Sequence, residues 1–164
     1  MPFSVREATS ALMSVETMTP DILRALQLAY PGEDARYFSP MAIGSDPATA
    51  DEGLAAILDG IKTTTSSGFW DWPDGRIPFV GSLCVLLDGQ NRMRAIIETE
   101  GVEIIPFGLV DENLARSYGE GDRTLNWWRS TMGDYYRHDA ARHGVSFSDD
   151  TPLIFEWIAV ARRL

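Results

Sequence analysis

One cysteine, Cys84, and two histidines, His138 and His143, occur among the 164 residues. A lone thiol excludes an internal disulfide and points to a reducing compartment. The histidines stand five apart in an expected helix, on different faces, so they do not share a metal, and no HExxH or paired CxxC supplies one. The metal expectation is therefore none. GxxxxGK[ST] and GxSxG are also absent, which removes the P-loop and the nucleophile-elbow hydrolases. Basic residues are in short supply: 14 Lys and Arg face 24 Asp and Glu, a formal charge of −10. Non-specific nucleic-acid affinity is mostly phosphate neutralisation, so DNA contact would require a local basic patch. No apolar run reaches membrane length and no basic segment leads into a short apolar one at the start, so the expectation is a cytoplasmic protein with no membrane contact. Repeats, heptads and low-complexity tracts are missing too.

Present instead is an apolar fraction of 45%, enough for one domain with a real core. Residues 1–18 show weak periodicity through Val5, Ala8, Leu12 and Met13, and their order is left open. Thr19-Pro20-Asp21 starts a helix that places Ile22, Leu23, Leu26 and Ala29 on one stripe and stops before Pro31-Gly32. Thr49 and Glu52 form a capping box ahead of Leu54, Ile57, Leu58 and Ile61. Residues 63–68 read as a flexible connector. Phe69, Trp70 and Trp72 follow, an aromatic group that either stacks on a base or packs as a surface lid on the core. Ile77 to Val80 and Leu83 to Leu87 read as strands, and Val102 to Leu109 as a third with Pro106 at an edge or bulge. Asp111 caps a short helix, Asp122 or Thr124 a longer one, and Leu153, Ile154, Trp157, Ile158 and Ala161 predict a C-terminal helix. The expected fold is α+β: a single small mixed sheet of three to four strands, a core over 19–110 and a helical extension over 111–164.

The most informative stretch is LCVLLDGQNRMRAIIETEG, Leu83 to Gly101. It reads as a buried strand, an Asp-Gly turn and an amphipathic helix through Met93, Ile96 and Ile97, ended by Gly101. A strand that delivers a glycine turn into a helix N-terminus leaves free N–H groups and the positive dipole end outward, which is an anion site. Gly89, Gln90, Asn91, Arg92 and Arg94 are its candidates. Arg123, on the charged Gly119–Arg123 turn, is placed to join them.

DGQNRMRAIIETEG resembles the DGQHR-type signature of the ParB/sulfiredoxin-like superfamily, in particular its small phage versions, labelled ParB-like nucleases. DEGLAAILDGIKTTTSSGFWDW with IPFV upstream, and VEIIPFGLVDENLARSYGEGDRTLNWW downstream, extend that resemblance over Asp51 to Trp128. The resemblance implies a nucleotide (ATP, ADP or CTP, with magnesium) against Gly89, Gln90 and Arg92. Asp88 and Arg92 would be catalytic residues of a DNA-associated nucleotidase, phosphotransferase or nuclease. Asp88 reads equally as a helix cap. Asn91 stands where the family carries histidine, so an alternative is an inactive phage factor that binds and inhibits a host protein. Cys84 lies in the strand, not in the turn, and reads as a buried apolar residue.

Overall fold

Four helix starts follow directly from capping chemistry. The computed structural model describes residues 18–164; the expectation for a short helix through Val5 and Met13 lies outside the described residues. Helix α1 is Pro20–Ala29, with the Thr19 hydroxyl accepting from the Ile22 N–H. Helix α2 is Pro47–Leu58 and begins earlier than the Thr49–Glu52 spacing suggests. Asp46 is its cap, accepting from the Thr49 N–H at 2.9 Å, while the Thr49 hydroxyl accepts from the Asp46 N–H at 3.2 Å. Helix α3 is Glu112–Tyr118 under Asp111, and α4 is Leu125–Arg142 under Thr124.

The sheet departs from expectation in five respects. Its strands are β1 (Thr64–Gly68), β2 (Leu83–Leu87), β3 (Met93–Pro106) and β4 (Pro152–Arg163), ordered β1-β4-β3-β2. Every pairing is antiparallel, so the α+β class holds but the sheet is not mixed. The segment expected to be a helix after the Asp-Gly turn is β3. Its Ile96, Ile97, Thr99, Val102, Ile104 and Ile105 are β-branched and suit a pleated surface. Register shifts at Ile96/Ile97 and Thr99/Gly101 offset its alternation, which is why Met93, Ile96 and Ile97 imitate helical spacing. The predicted C-terminal helix is β4, which lies between β1 and β3 and is covered on both faces, so its apolar residues run continuously. The predicted flexible connector is β1, an edge strand. Ile77 to Val80, expected as a strand, is irregular, and the ladder resumes where Gly81 N–H donates to the Thr99 carbonyl.

Helices pack on both faces of this curled sheet. Trp128 and Tyr136 of α4 and Tyr118 of α3 bury Leu153 and Phe155 on one face, and α1 covers Leu83, Val85 and Leu87 further along it. On the other face, α2 packs Leu54 and Ile57 against Leu86, Ile97 and Ile158. The free edge of β2 is closed by residues 37–41, with parallel bridges Tyr37 to Leu83 and Met41 to Leu86. The outer edge of β1 is flanked by α2 on one side and by α3 and α4 on the other, and that is where the molecule opens.

Candidate functional site: a cleft along the edge of β1

The Asp-Gly turn, where the sequence places an anion site, joins β2 to β3. Asp88 is 2% exposed and sits at its centre. Its Oδ1 accepts from the N–H groups of Gln90 (2.9 Å) and Arg92 (3.0 Å), and its Oδ2 from Arg92 Nε (2.8 Å) and Arg94 NH1 (3.2 Å). Burial alone would raise its carboxyl; the backbone donors and then both guanidiniums pull it well below the usual carboxylate range. Gly89 N–H donates to Asp51, and Asn91 N–H, from a left-handed φ of 59°, donates to the Asp88 carbonyl. The four amides of Gly89, Gln90, Asn91 and Arg92 are thus taken by the protein itself. A Cβ at Gly89 would collide with the Pro47 carbonyl oxygen, so the turn is pressed onto the start of α2. Arg123 does not join it; its Nε donates to the Arg116 carbonyl. The premise of converging free amides does not hold, because no helix begins there.

The aromatic group divides. Trp70 donates its indole N–H to buried Asp139 and sets its edge against Tyr136; Trp72 donates to Ser67 and lies 5.2 Å from the Phe38 ring. Phe69 is 40% exposed. Cys84 is buried in β2, where desolvation pushes its thiol up. Each histidine ring bonds the carbonyl four residues before it on α4, His138 to Asp134 and His143 to Asp139. Among the described residues no group of three or more His, Cys, Asp or Glu is placed to hold a metal.

The opening beside β1 has a volume of about 570 Å³. Gly44, Thr49, Glu52 and Gly53 line one wall; Tyr118, Glu120, Trp127 and Tyr135 line the other; Thr65, Ser66 and Ser67 form the floor, with Asp71 at one end. Ile158 N–H donates to the Thr63 carbonyl, and Thr65 and Ser67 continue that register opposite Glu156 and Ile154. Alternation then turns the backbone of Thr65 and Ser67 to β4 and that of Ser66 outward, so one N–H and one C=O face the cleft. The Ser66 hydroxyl is held by Tyr118 (3.0 Å) and Tyr136 (2.5 Å). Burial raises both phenols far above their ordinary value, so they stay neutral.

The charges around the cleft are arranged in depth. Lys62, fully buried behind it, donates to the Tyr118 carbonyl at 2.9 Å, lies 3.5 Å from the centre of the Tyr118 ring and stands 3.7 Å from the Glu120 carboxylate. Desolvation lowers its amine to about 8, against the pull of Glu120. Three carboxylates, Glu52, Asp71 and Glu120, line the opening, and neither Lys nor Arg does. Gly121, at φ 58°, brings its backbone against Trp127, where a Cβ would run into the indole. None of the residues that the sequence nominated for the anion site, Asp88, Gly89, Gln90, Asn91, Arg92, Arg94 and Arg123, lines this opening, nor do Phe69, Trp70 or Trp72.

The family model described as the ASCH domain matches residues 39–162. The chain belongs to the ASCH-domain family. Among solved structures it is similar to the ASCH domain from Lactobacillus crispatus JV V101, 26% identical, TM-score 0.75, over 85% of this chain and 91% of that one. It is also similar to protein EF3133 from Enterococcus faecalis V583, 25% identical, TM-score 0.68, over 75% of this chain and 79% of that one. Comparison with curated proteins gives no match. Membership of the ASCH-domain family overturns the resemblance to the ParB/sulfiredoxin-like superfamily and its phage DGQHR members. With it go the ParB-like nuclease, the nucleotide-dependent phosphoryl transfer and the inactive phage factor derived from them. The shared Asp-Gly-Gln-x-Arg letters serve a hairpin loop here, not a helix entry.

The cleft residues carried weaker signals. Lys62 sits alone ahead of Thr63-Thr64-Thr65, a β-branched run that argues strand over connector. Glu120 and Trp127 stand more than fifty positions from Ser66 and line the same opening only because α3 and α4 pack against β1.

Proposed function

We propose that this ASCH domain binds RNA by taking one unpaired base into the cleft along β1, with a free nucleoside as the minimal ligand. The observation that carries the reading is the outward backbone pair of Ser66, a donor and an acceptor side by side, at the floor of a cleft with Trp127 and Tyr135 in its wall. Nucleobases are planar and present donors and acceptors on one edge; aromatic side chains take their faces at about 1–3 kcal/mol per base. A volume of about 570 Å³ falls within the usual range for small-ligand sites. The ASCH-domain match supports the reading at the level of the fold.

The lining also sets what the site disfavours. With carboxylates and no cation at the opening, a triphosphate meets repulsion, so recognition rests on the base and not on the phosphate chain. Calorimetric titration with adenosine, cytidine, guanosine, uridine and a short single-stranded RNA tests this. At least one nucleoside and the RNA bind, the RNA with a salt slope near zero because few phosphates are neutralised. The reading is overturned if neither nucleosides nor RNA bind, or if Trp127→Ala leaves their affinity unchanged.

A further inference from the structure

Lys62 shows how this fold holds a cation. Its Nζ lies 3.5 Å from the centre of the Tyr118 ring and 3.7 Å from the Glu120 carboxylate, so an aromatic face and an acid share one positive charge. Tyr118 and Glu120 also line the cleft, and on its open side the same two kinds of group recur without a cation. Among the described residues, cations lie over the rings of Tyr30, Phe38 and Tyr118, and none lies over Trp127 or Tyr135. The Trp127 indole is fixed as a wall because the Gly121 backbone presses against it. On the opposite wall Glu52 is exposed and has no hydrogen-bond or ion-pair partner among the described residues. Asp71 accepts from the Gly68 N–H at 2.9 Å and its other oxygen is buried, so it adds charge at the end of the cleft and no contact.

Resting on the proposed base-binding role of the cleft, we infer that its preferred ligand is a base carrying positive charge, an N-methylated purine or pyrimidine, stacked on Trp127 beside Tyr135 and attracted by the Glu52 carboxylate. A neutral base gains stacking alone, whereas a cationic base also gains from the ring quadrupoles and from a carboxylate that no protein cation answers. Methylation at N1 of adenine closes its pairing edge but leaves N7 and the exocyclic amino group, an acceptor beside a donor, to meet the Ser66 N–H and C=O.

Isomeric nucleosides separate the charge from the methyl group. At neutral pH 1-methyladenosine and 3-methylcytidine are cations, whereas N6-methyladenosine and N4-methylcytidine carry the same methyl group uncharged. Calorimetric titration of the native chain gives, in at least one of the two pairs, about tenfold tighter binding of the cation or more.

Glu52 supplies the second readout. Because it is exposed and unpartnered, Glu52→Gln and Glu52→Lys change stability little. The ratio of cation to neutral-isomer affinity falls about threefold or more in Glu52→Gln and further in Glu52→Lys. A change of ratio, rather than of either affinity, is what a merely structural role would not produce. Isomers that bind equally in both pairs, or a ratio that neither variant lowers, overturn this inference and leave base binding standing. Failure of every nucleoside, charged or neutral, and of RNA to bind overturns both.

Discussion

The Asp88 turn and the β1 cleft use similar residues to opposite ends. In the turn, one buried carboxylate collects two backbone N–H groups and two guanidiniums, and its proton affinity falls. In the cleft, Asp71 keeps an unpaired oxygen and its carboxyl rises to about 6. A high density of charged and glycine residues marks the turn, yet its polar groups answer one another. The cleft is bland in sequence but leaves hydrogen-bonding capacity pointing outward. Unmet polar capacity at a concave surface is the better guide to a binding site than charge density.

Substitutions sharpen that contrast. The largest effect is expected at Lys62: Lys62→Ala empties a fully buried volume and strips the Tyr118 carbonyl and Glu120 of their donor, costing about 3 kcal/mol or more in chemical denaturation. Glu156 comes next. It lies in β4, accepts from the Thr99 hydroxyl at 3.0 Å, and is pushed up to about 7 by desolvation. Because the folded chain holds that proton more tightly than the unfolded chain, stability falls as pH rises from about 4.3 through about 7 and stays lower above. Glu156→Gln therefore stabilises by about 2 kcal/mol at pH ~8 and by nothing at pH ~4, read from denaturation curves at the two pH values.

Ligand effects follow. Trp127→Ala weakens nucleoside binding about tenfold by calorimetry. Asp88→Asn lowers the melting temperature at neutral pH. The native carboxylate's contribution is present above about pH 4 and is lost as pH falls below it, so the two chains converge in acid; nucleoside affinity stays at the native value. Smallest is Arg92→Ala, which shifts the melting temperature by at most about 3 °C because its side chain is 63% exposed. Should Arg92→Ala abolish nucleoside binding, the roles of the two regions would have to be exchanged.

Local chemistry was legible and distant chemistry was not. Thr19-Pro20-Asp21, Asp111 and Thr124 mark helix starts because a cap acts within three residues. The buried run Leu83 to Leu87 is a strand as expected. β3 was hidden because two bulges break its alternation, although six β-branched residues spoke for a strand. β4 was hidden because a strand covered on both faces carries no polar period. At the turn, acid and base within six positions of each other, Asp88 with Arg92 and Arg94, already implied self-neutralisation. The cleft was illegible because Ser66, Glu120 and Trp127 have no relation along the chain; only the packing of β1 against α3 and α4 brings them to one opening.

The pairing of β1 with β4 governs when the cleft can exist. β1 is tied to the sheet through β4 alone, and β4 is the last of the four strands to be made. During synthesis β1 has no strand to pair with until residues 152–163 leave the ribosome, so the floor of the cleft and the completed sheet arrive together. In the finished protein, loosening β4 dissolves the floor of the cleft, and amide exchange at Thr65 and Ser67 should track global unfolding rather than local breathing.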